Sequence, residues 1–201
     1  LDIGSGYGGV SYYLNDHLKF KTVVGVTPDY DEKNNSKFYK NINFIQSTYQ
    51  TPIDGKFDVV ILVHTLEHFI NPINALLNIK TNLSKNGILY VEVPNFFWEE
   101  IIVSPIYTNV HLSYFSKKSL INLLKYCGFK IIKVKESKYW GNIKVIACHD
   151  DEYENISNKK QFFKKNGETW FFKLFKLNFY KLFSYPIVRM IKKYFRIKPN
   201  D

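Results

Sequence analysis

The chain predicts an α/β fold, a doubly wound and mostly parallel sheet of about seven strands. Three observations carry that reading. Leu1-Asp2-Ile3-Gly4-Ser5-Gly6-Tyr7-Gly8 sets an apolar strand end against a glycine-rich turn. Phe57-Asp-Val-Val-Ile-Leu-Val63 is a nearly continuous apolar run, as expected of a parallel strand covered on both faces. Apolar runs and helical patterns then alternate along the chain, the signature of a parallel sheet wrapped by helices.

The elements follow in order. Leu1 to Ile3 end a first strand, and the glycines turn it into a helix over residues 10–19. Thr22 to Val26 form the second strand and Asn43 to Gln46 a short third. After the strand ending at Val63, Asn71-Pro72 opens a helix, with Pro tolerated in its first turn. Its apolar positions Ile73, Leu76, Leu77, Ile79 and Leu83 keep helical spacing, and Asn86-Gly87 is expected to stop it. Ile88 to Val93 is the next strand, closed by Pro94. Ser116 suits the cap of a helix through Lys125, closed by Gly128. Lys130–Lys135 and Asn142–Cys148 read as two last strands joined by a turn through Tyr139-Trp140-Gly141-Asn142. The domain spans 1–150, with a helical tail over 151–201. Because the chain starts at Leu1 without an initiator Met, it reads as beginning inside its first strand.

Glycine in the first turn tolerates positive φ and lets a ligand approach the backbone. Strand, turn and helix together make the nucleotide-binding corner of an open sheet. Gly4-x-Gly6-x-x-Gly9 also satisfies the dinucleotide fingerprint, which needs an acid about 20 residues on. The second strand ends on Thr27 instead. Asp2 would add negative charge where a pyrophosphate must sit. It suits a cationic ligand without phosphate, such as S-adenosylmethionine. An ordinary glycine-rich turn remains the plainer alternative.

Charge and cysteine content narrow the setting. The net charge is +10. Residues 1–158 hold 16 basic and 16 acidic residues, and residues 159–201 hold 12 and 2, so the tail carries the excess. Cys127 and Cys148 support neither a disulfide framework nor a metal cluster, and a reducing, cytoplasmic setting is expected. No run of 18 apolar residues predicts a spanning helix. Residues 159–198 interleave Lys and Arg with aromatic and aliphatic residues. Such a tail fits an anionic membrane surface, peripheral to the inner face of the membrane. It also fits packing or dimerisation, and less well RNA.

Four blocks, in order and at their spacings, resemble the class I S-adenosylmethionine-dependent methyltransferases, in the methyltransferase domain 23 or ubiquinone-biosynthesis-like O-methyltransferase branch. They are Leu1–Gly8, Phe57 through His68, Leu83-Ser-Lys-Asn-Gly-Ile-Leu-Tyr-Val-Glu-Val-Pro-Asn95, and His111-Leu-Ser-Tyr-Phe-Ser through Cys127-Gly128-Phe129. The resemblance covers about residues 1–148. It implies a Rossmann-like sheet with an antiparallel last strand and S-adenosylmethionine as cofactor. It implies that Asp2, Gly4, Ser5, Gly6 and Gly8 line the methionine half, and that Val63 and His64 sit against the cofactor. The ribose and adenine positions fall on Thr27 and Thr48 (or Ser47), where acids are usual, and Asp29 is a substitute for Thr27. A Thr hydroxyl lacks the charge-assisted, paired acceptance of a carboxylate.

His64-Thr-Leu-Glu67-His68 also matches H-x-x-E-H, a zinc-protease pattern that requires a helix and a third ligand. A divalent metal on Glu67 and His68, or plain hydrogen bonding within the turn, are the other readings; the expected site contains no metal. His111 is the candidate general base, since a neutral imidazole near pH 7 suits proton removal from a hydroxyl; anchoring of its segment is the alternative. His68 and Asn95 are candidate acceptor contacts. Phe96, Phe97, Trp98, Ile106 and Tyr107 are candidates for an acceptor lid. No N/D-P-P-Y/F sequence follows the fourth strand, which argues against methylation of a nucleic-acid amine. By analogy with the family, the expected acceptor is a small hydroxylated molecule, a sugar or glycan precursor. The alternative is a methyltransferase-fold scaffold with weak or no cofactor binding, tethered through its tail.

Overall fold

The computed structural model describes residues 1–28, 42–50, 53–95, 111–136 and 141–152. Their elements are β1 (Asp2–Ile3), α1 (Gly9–Tyr12), β2 (Val23–Thr27), β3 (Ile42–Gln46), β4 (Phe57–Val63), α2 (Pro72–Asn82), β5 (Leu83–Pro94), α3 (Lys117–Tyr126), β6 (Phe129–Glu136) and β7 (Asn142–His149). They form the expected doubly wound sheet, in the order β3-β2-β1-β4-β5-β7-β6. β2 pairs parallel with β3 and β4 with β5, while β7 runs antiparallel to both β5 and β6.

Contacts divide the described chain into two compact units. One contains Asp2 and the described residues of 4–48; the other contains Leu1, Ile3 and the described residues from Tyr49 on. In the smaller unit, the Gly4 and Ser5 amides both donate to the Val26 carbonyl, at 2.8 and 2.9 Å. Gly25 must be glycine here, because a Cβ would lie 2.7 Å from the Phe44 ring. The expected helix over residues 10–19 is only partly α-helical. Gly8, left-handed at φ 79°, precedes α1, and residues Tyr13–His17 widen into a π turn.

In the larger unit, Val60, Ile61, Leu62, Leu89, Val91, Val93, Ile143 and Val145 are almost wholly buried. At roughly 1.5–3 kcal/mol for each fully buried aliphatic side chain, this central layer dominates the unit's stability. Asn71 caps α2 by accepting from the Asn74 amide at 3.1 Å. The expected stop at Asn86-Gly87 is corrected: α2 ends at Asn82, and Leu83, already extended at ψ 131°, enters β5 directly. Buried Asn82 fixes that end, accepting from the Tyr49 hydroxyl at 2.7 Å and donating to the Gly55 carbonyl at 2.8 Å. Asn86-Gly87 instead lies where β5 slips against β4, between the Phe57–Leu83 and Val59–Ile88 pairs. Ser116 caps α3, its hydroxyl accepting from the Ser119 amide at 3.1 Å while Ser119 Oγ accepts from the Ser116 amide at 2.9 Å. Gly128, at φ 79°, turns the chain into β6.

Candidate functional site

The glycine corner is built mainly from backbone. Gly4, Gly6 and Gly8 all take positive φ, at 75°, 49° and 79°, conformations that cost an L side chain strain. Asp2 is 1% exposed, and its Oδ2 accepts from Ser11 Oγ at 2.6 Å. Burial pushes its carboxyl up to about 6, against the lowering effect of the Ser11 hydrogen bond. Such a carboxylate gains from a cationic partner. Ser5 Oγ is buried with no hydrogen-bond partner among the described residues, and an unmet buried hydroxyl is costly. An ammonium for Asp2 and a polar ligand atom for Ser5 fit the methionine end of S-adenosylmethionine. Thr27 ends β2, buried, with its carbonyl accepting from the Ser47 amide at 2.9 Å. Thr48 is exposed after β3.

The larger unit gathers the remaining candidates at the carboxyl end of β4. Val63 is buried and His64 half-buried. His64 takes a left-handed φ of 51°, uncommon for a residue with a side chain. Its amide donates to the Glu92 carbonyl at 2.9 Å, holding it to the neighbouring strand. Leu66–His68 then form a single 3-10 turn. The helix required by the zinc-protease pattern is therefore absent at these residues. His64 ends a strand, and Glu67 and His68 lie on the turn.

The Glu67 carbonyl accepts from the Leu112 and Ser113 amides at 2.8 and 3.0 Å. Those two bonds bring His111, distant in sequence, beside the turn. The His68 and His111 rings meet edge to face, with centroids 4.9 Å apart. Ligand atoms of Glu67, His68 and His111 lie within 4.8 Å of one another. Glu67 is 1% exposed, and neither carboxylate oxygen has a hydrogen-bond partner among the described residues. His64 Nδ1 approaches Glu67 Oε1 at 3.5 Å, beyond a good hydrogen bond. Two imidazoles and an unsatisfied carboxylate are a donor set that can grip a hydroxyl or hold a divalent cation.

Asn95 follows directly after β5. Its side chain reaches Glu136 at 3.4 Å, and its backbone bridges to Phe115. Asp29, Phe96, Phe97, Trp98, Ile106, Tyr107 and residues 159–198 lie outside the described residues. Glu92, Asn142 and Lys144, buried around His64, were missed by sequence reasoning. The signal was available: Tyr90 with Glu92, and Asn142 with Lys144, put polar groups two apart in otherwise apolar strands, on one face of each. None of the helices among the described residues is long and apolar enough to cross a membrane.

Known proteins agree with this fold. A chain from a Haloferax volcanii complex of a methyltransferase activator with a methyltransferase superposes at a TM-score of 0.63 and 15% identity, over 74% of this chain and 80% of that one. An S-adenosylmethionine-dependent methyltransferase from Clostridium acetobutylicum gives 0.60 and 11%, over 73% and 81%. Mitomycin 7-O-methyltransferase gives 0.64 and 15%, over 74% of this chain and 48% of its own. At these identities the likeness is one of fold. No curated protein matches in sequence. The model of the methyltransferase domain family matches residues 1–134, well over half of the chain, and the protein belongs to that family of S-adenosylmethionine-dependent methyltransferases.

Proposed function

We propose that the chain methylates an oxygen of a small hydroxylated acceptor, such as a sugar or glycan precursor. The convergence of Glu67, His68 and His111 supports this reading. S-adenosylmethionine, when bound, supplies an electrophilic methyl group on a sulfonium. The chain's residues divide the remaining work. Asp2, Gly4, Ser5, Gly6 and Gly8 hold the methionine end, Thr27 and Thr48 serve the ribose and adenine, and Val63 and His64 line the cofactor, as the resemblance implies. His111 accepts the acceptor's hydroxyl proton as the new C–O bond forms. His68 and the Glu67 carboxylate orient that hydroxyl, and Asn95 contributes to the acceptor wall. Much of the rate comes from alignment of oxygen, methyl carbon and sulfur.

The Glu67 carboxylate, with no hydrogen-bond partner among the described residues, favours one variant of this reading, in which Glu67, His68 and His111 hold a divalent cation that binds the acceptor oxygens. Labelled S-adenosylmethionine offered with sugars, phenols and catechols, with and without Mg²⁺ or chelator, tests both forms. His111→Ala is expected to slow transfer roughly 10²–10⁴-fold while leaving cofactor binding unchanged. Methyl transfer only to amines or thiols would overturn the proposal. The basic tail over 159–198 is proposed to meet an anionic membrane surface or to pack in a dimer. Co-sedimentation with anionic vesicles at low salt separates the two.

A further inference from the structure

The larger unit contains a buried polar chain, Glu92, Lys144, Tyr90 and Asn142, that the methyl-transfer scheme does not use and that ends on His64. It begins at Glu92 and Lys144, paired across β5 and β7, with Lys144 Nζ 3.5 Å from Glu92 Oε2. Both residues are buried, Glu92 completely. The Tyr90 hydroxyl donates to the same oxygen at 2.8 Å. Asn142 Nδ2 donates to the other oxygen, Oε1, at 2.8 Å. The same Nδ2 lies 3.2 Å from His64 Nε2, and on the far side of that ring Nδ1 faces Glu67 Oε1 at 3.5 Å.

These contacts decide where a proton sits. A carboxylate beside an ammonium and a donating phenol can only accept, so Asn142 must turn its NH₂ group, not its oxygen, toward Glu92. The second N–H of that group then points at His64 Nε2. Nε2 has to accept, and the ring's proton is left on Nδ1, directed at Glu67. A proton on Nε2 would set N–H against N–H. The tautomer of an imidazole is set by the bond its other nitrogen makes.

We propose that Asn142 is a positioning residue, oriented by the Glu92–Lys144 pair, that keeps His64 Nε2 an acceptor and so places the ring's N–H on Nδ1. The value of this arrangement rests on the methyltransferase reading. The resemblance puts His64 against the cofactor, so the tautomer decides which ring nitrogen can donate beside it. The Nδ1–H is directed at Glu67 Oε1, 3.5 Å away.

Long-range ¹H–¹⁵N NMR of the full chain, histidine-labelled and without ligand, reads the tautomer directly. His64 is assigned by loss of its signals in His64→Gln. Wild type is expected to show a protonated Nδ1 and an unprotonated Nε2. Asn142→Asp replaces the donor by an acceptor and should move the proton to Nε2. An Nε2–H tautomer in wild type overturns the proposal whatever the variant does. So does retention of Nδ1–H in Asn142→Asp with native circular dichroism. Calorimetry with S-adenosylmethionine is a separate readout, so failure of the cofactor reading would leave the tautomer result standing.

Discussion

The glycine corner and the β4 end reach function by opposite means. In the smaller unit the candidate site is made by backbone: left-handed Gly4, Gly6 and Gly8 shape it, with two side chains, Asp2 and Ser11, in a 2.6 Å hydrogen bond. In the larger unit the candidate site is made by side chains: His64, Glu67, His68 and His111, backed by Glu92, Asn142 and Lys144, come from four separated stretches. A backbone site is encoded within eight residues and tolerates change around it. A side-chain site exists only if the sheet register brings its members together, and each buried charge depends on its partner.

That contrast can be broken most forcefully at Glu92. Glu92→Ala leaves Lys144 buried without its carboxylate, at an expected cost of about 3–5 kcal/mol in urea unfolding. Replacing the pair together, Glu92→Leu with Lys144→Met, should cost markedly less, because a well-packed apolar pair carries no desolvation penalty. Equal losses in both variants would mean that packing, not charge, governs this unit.

The corner should behave in the reverse way. Asp2→Asn is expected to weaken S-adenosylmethionine binding by about 10–100-fold, the worth of a charge-assisted hydrogen bond of about 1.5–3 kcal/mol. Stability at neutral pH should hold or rise, since burial raises the Asp2 carboxyl to about 6 and its ionised form is the disfavoured one. A folded pKa above the unfolded 3.8 means that the free protein loses stability as pH climbs from about 4 to about 6, and changes little from this group beyond. A cationic ligand needs the carboxylate. Its affinity should therefore fall about tenfold per pH unit below about 6, and the fall should vanish in Asp2→Asn. An identical pH profile in the variant would remove Asp2 from the site.

The smallest effect sharpens the comparison from the structural side. Ser116→Ala removes the α3 cap and should cost about 1 kcal/mol, read as a lower midpoint in urea with unchanged cofactor affinity. A loss of affinity would show that the larger unit's frame and the cofactor site are energetically coupled.

The sequence shows the same asymmetry in what it reveals. The strands along the chain, the helix starts at Asn71 and Ser116 and the Asp2 corner are legible, because spacing, capping and glycine conformation are local. The end of α2 was not, since buried Asn82, not the Asn86-Gly87 turn signal, sets it through bonds to Tyr49 and Gly55. Glu67 and His68 were read in their turn, but the approach of His111 depends on two amide bonds to the Glu67 carbonyl. The π turn over Tyr13–His17 has no signal in the helical pattern that precedes it.

The central claim is that the Asp2 corner holds the methyl donor even though Thr27 and Thr48 replace the usual acids. Isothermal calorimetry of the full chain at pH 7.5, with S-adenosylmethionine and S-adenosylhomocysteine, tests it most directly. Saturable one-site binding of both ligands, weakened in Asp2→Asn, is the predicted result. No heat of binding at millimolar ligand, or wild-type affinity in Asp2→Asn, would contradict it.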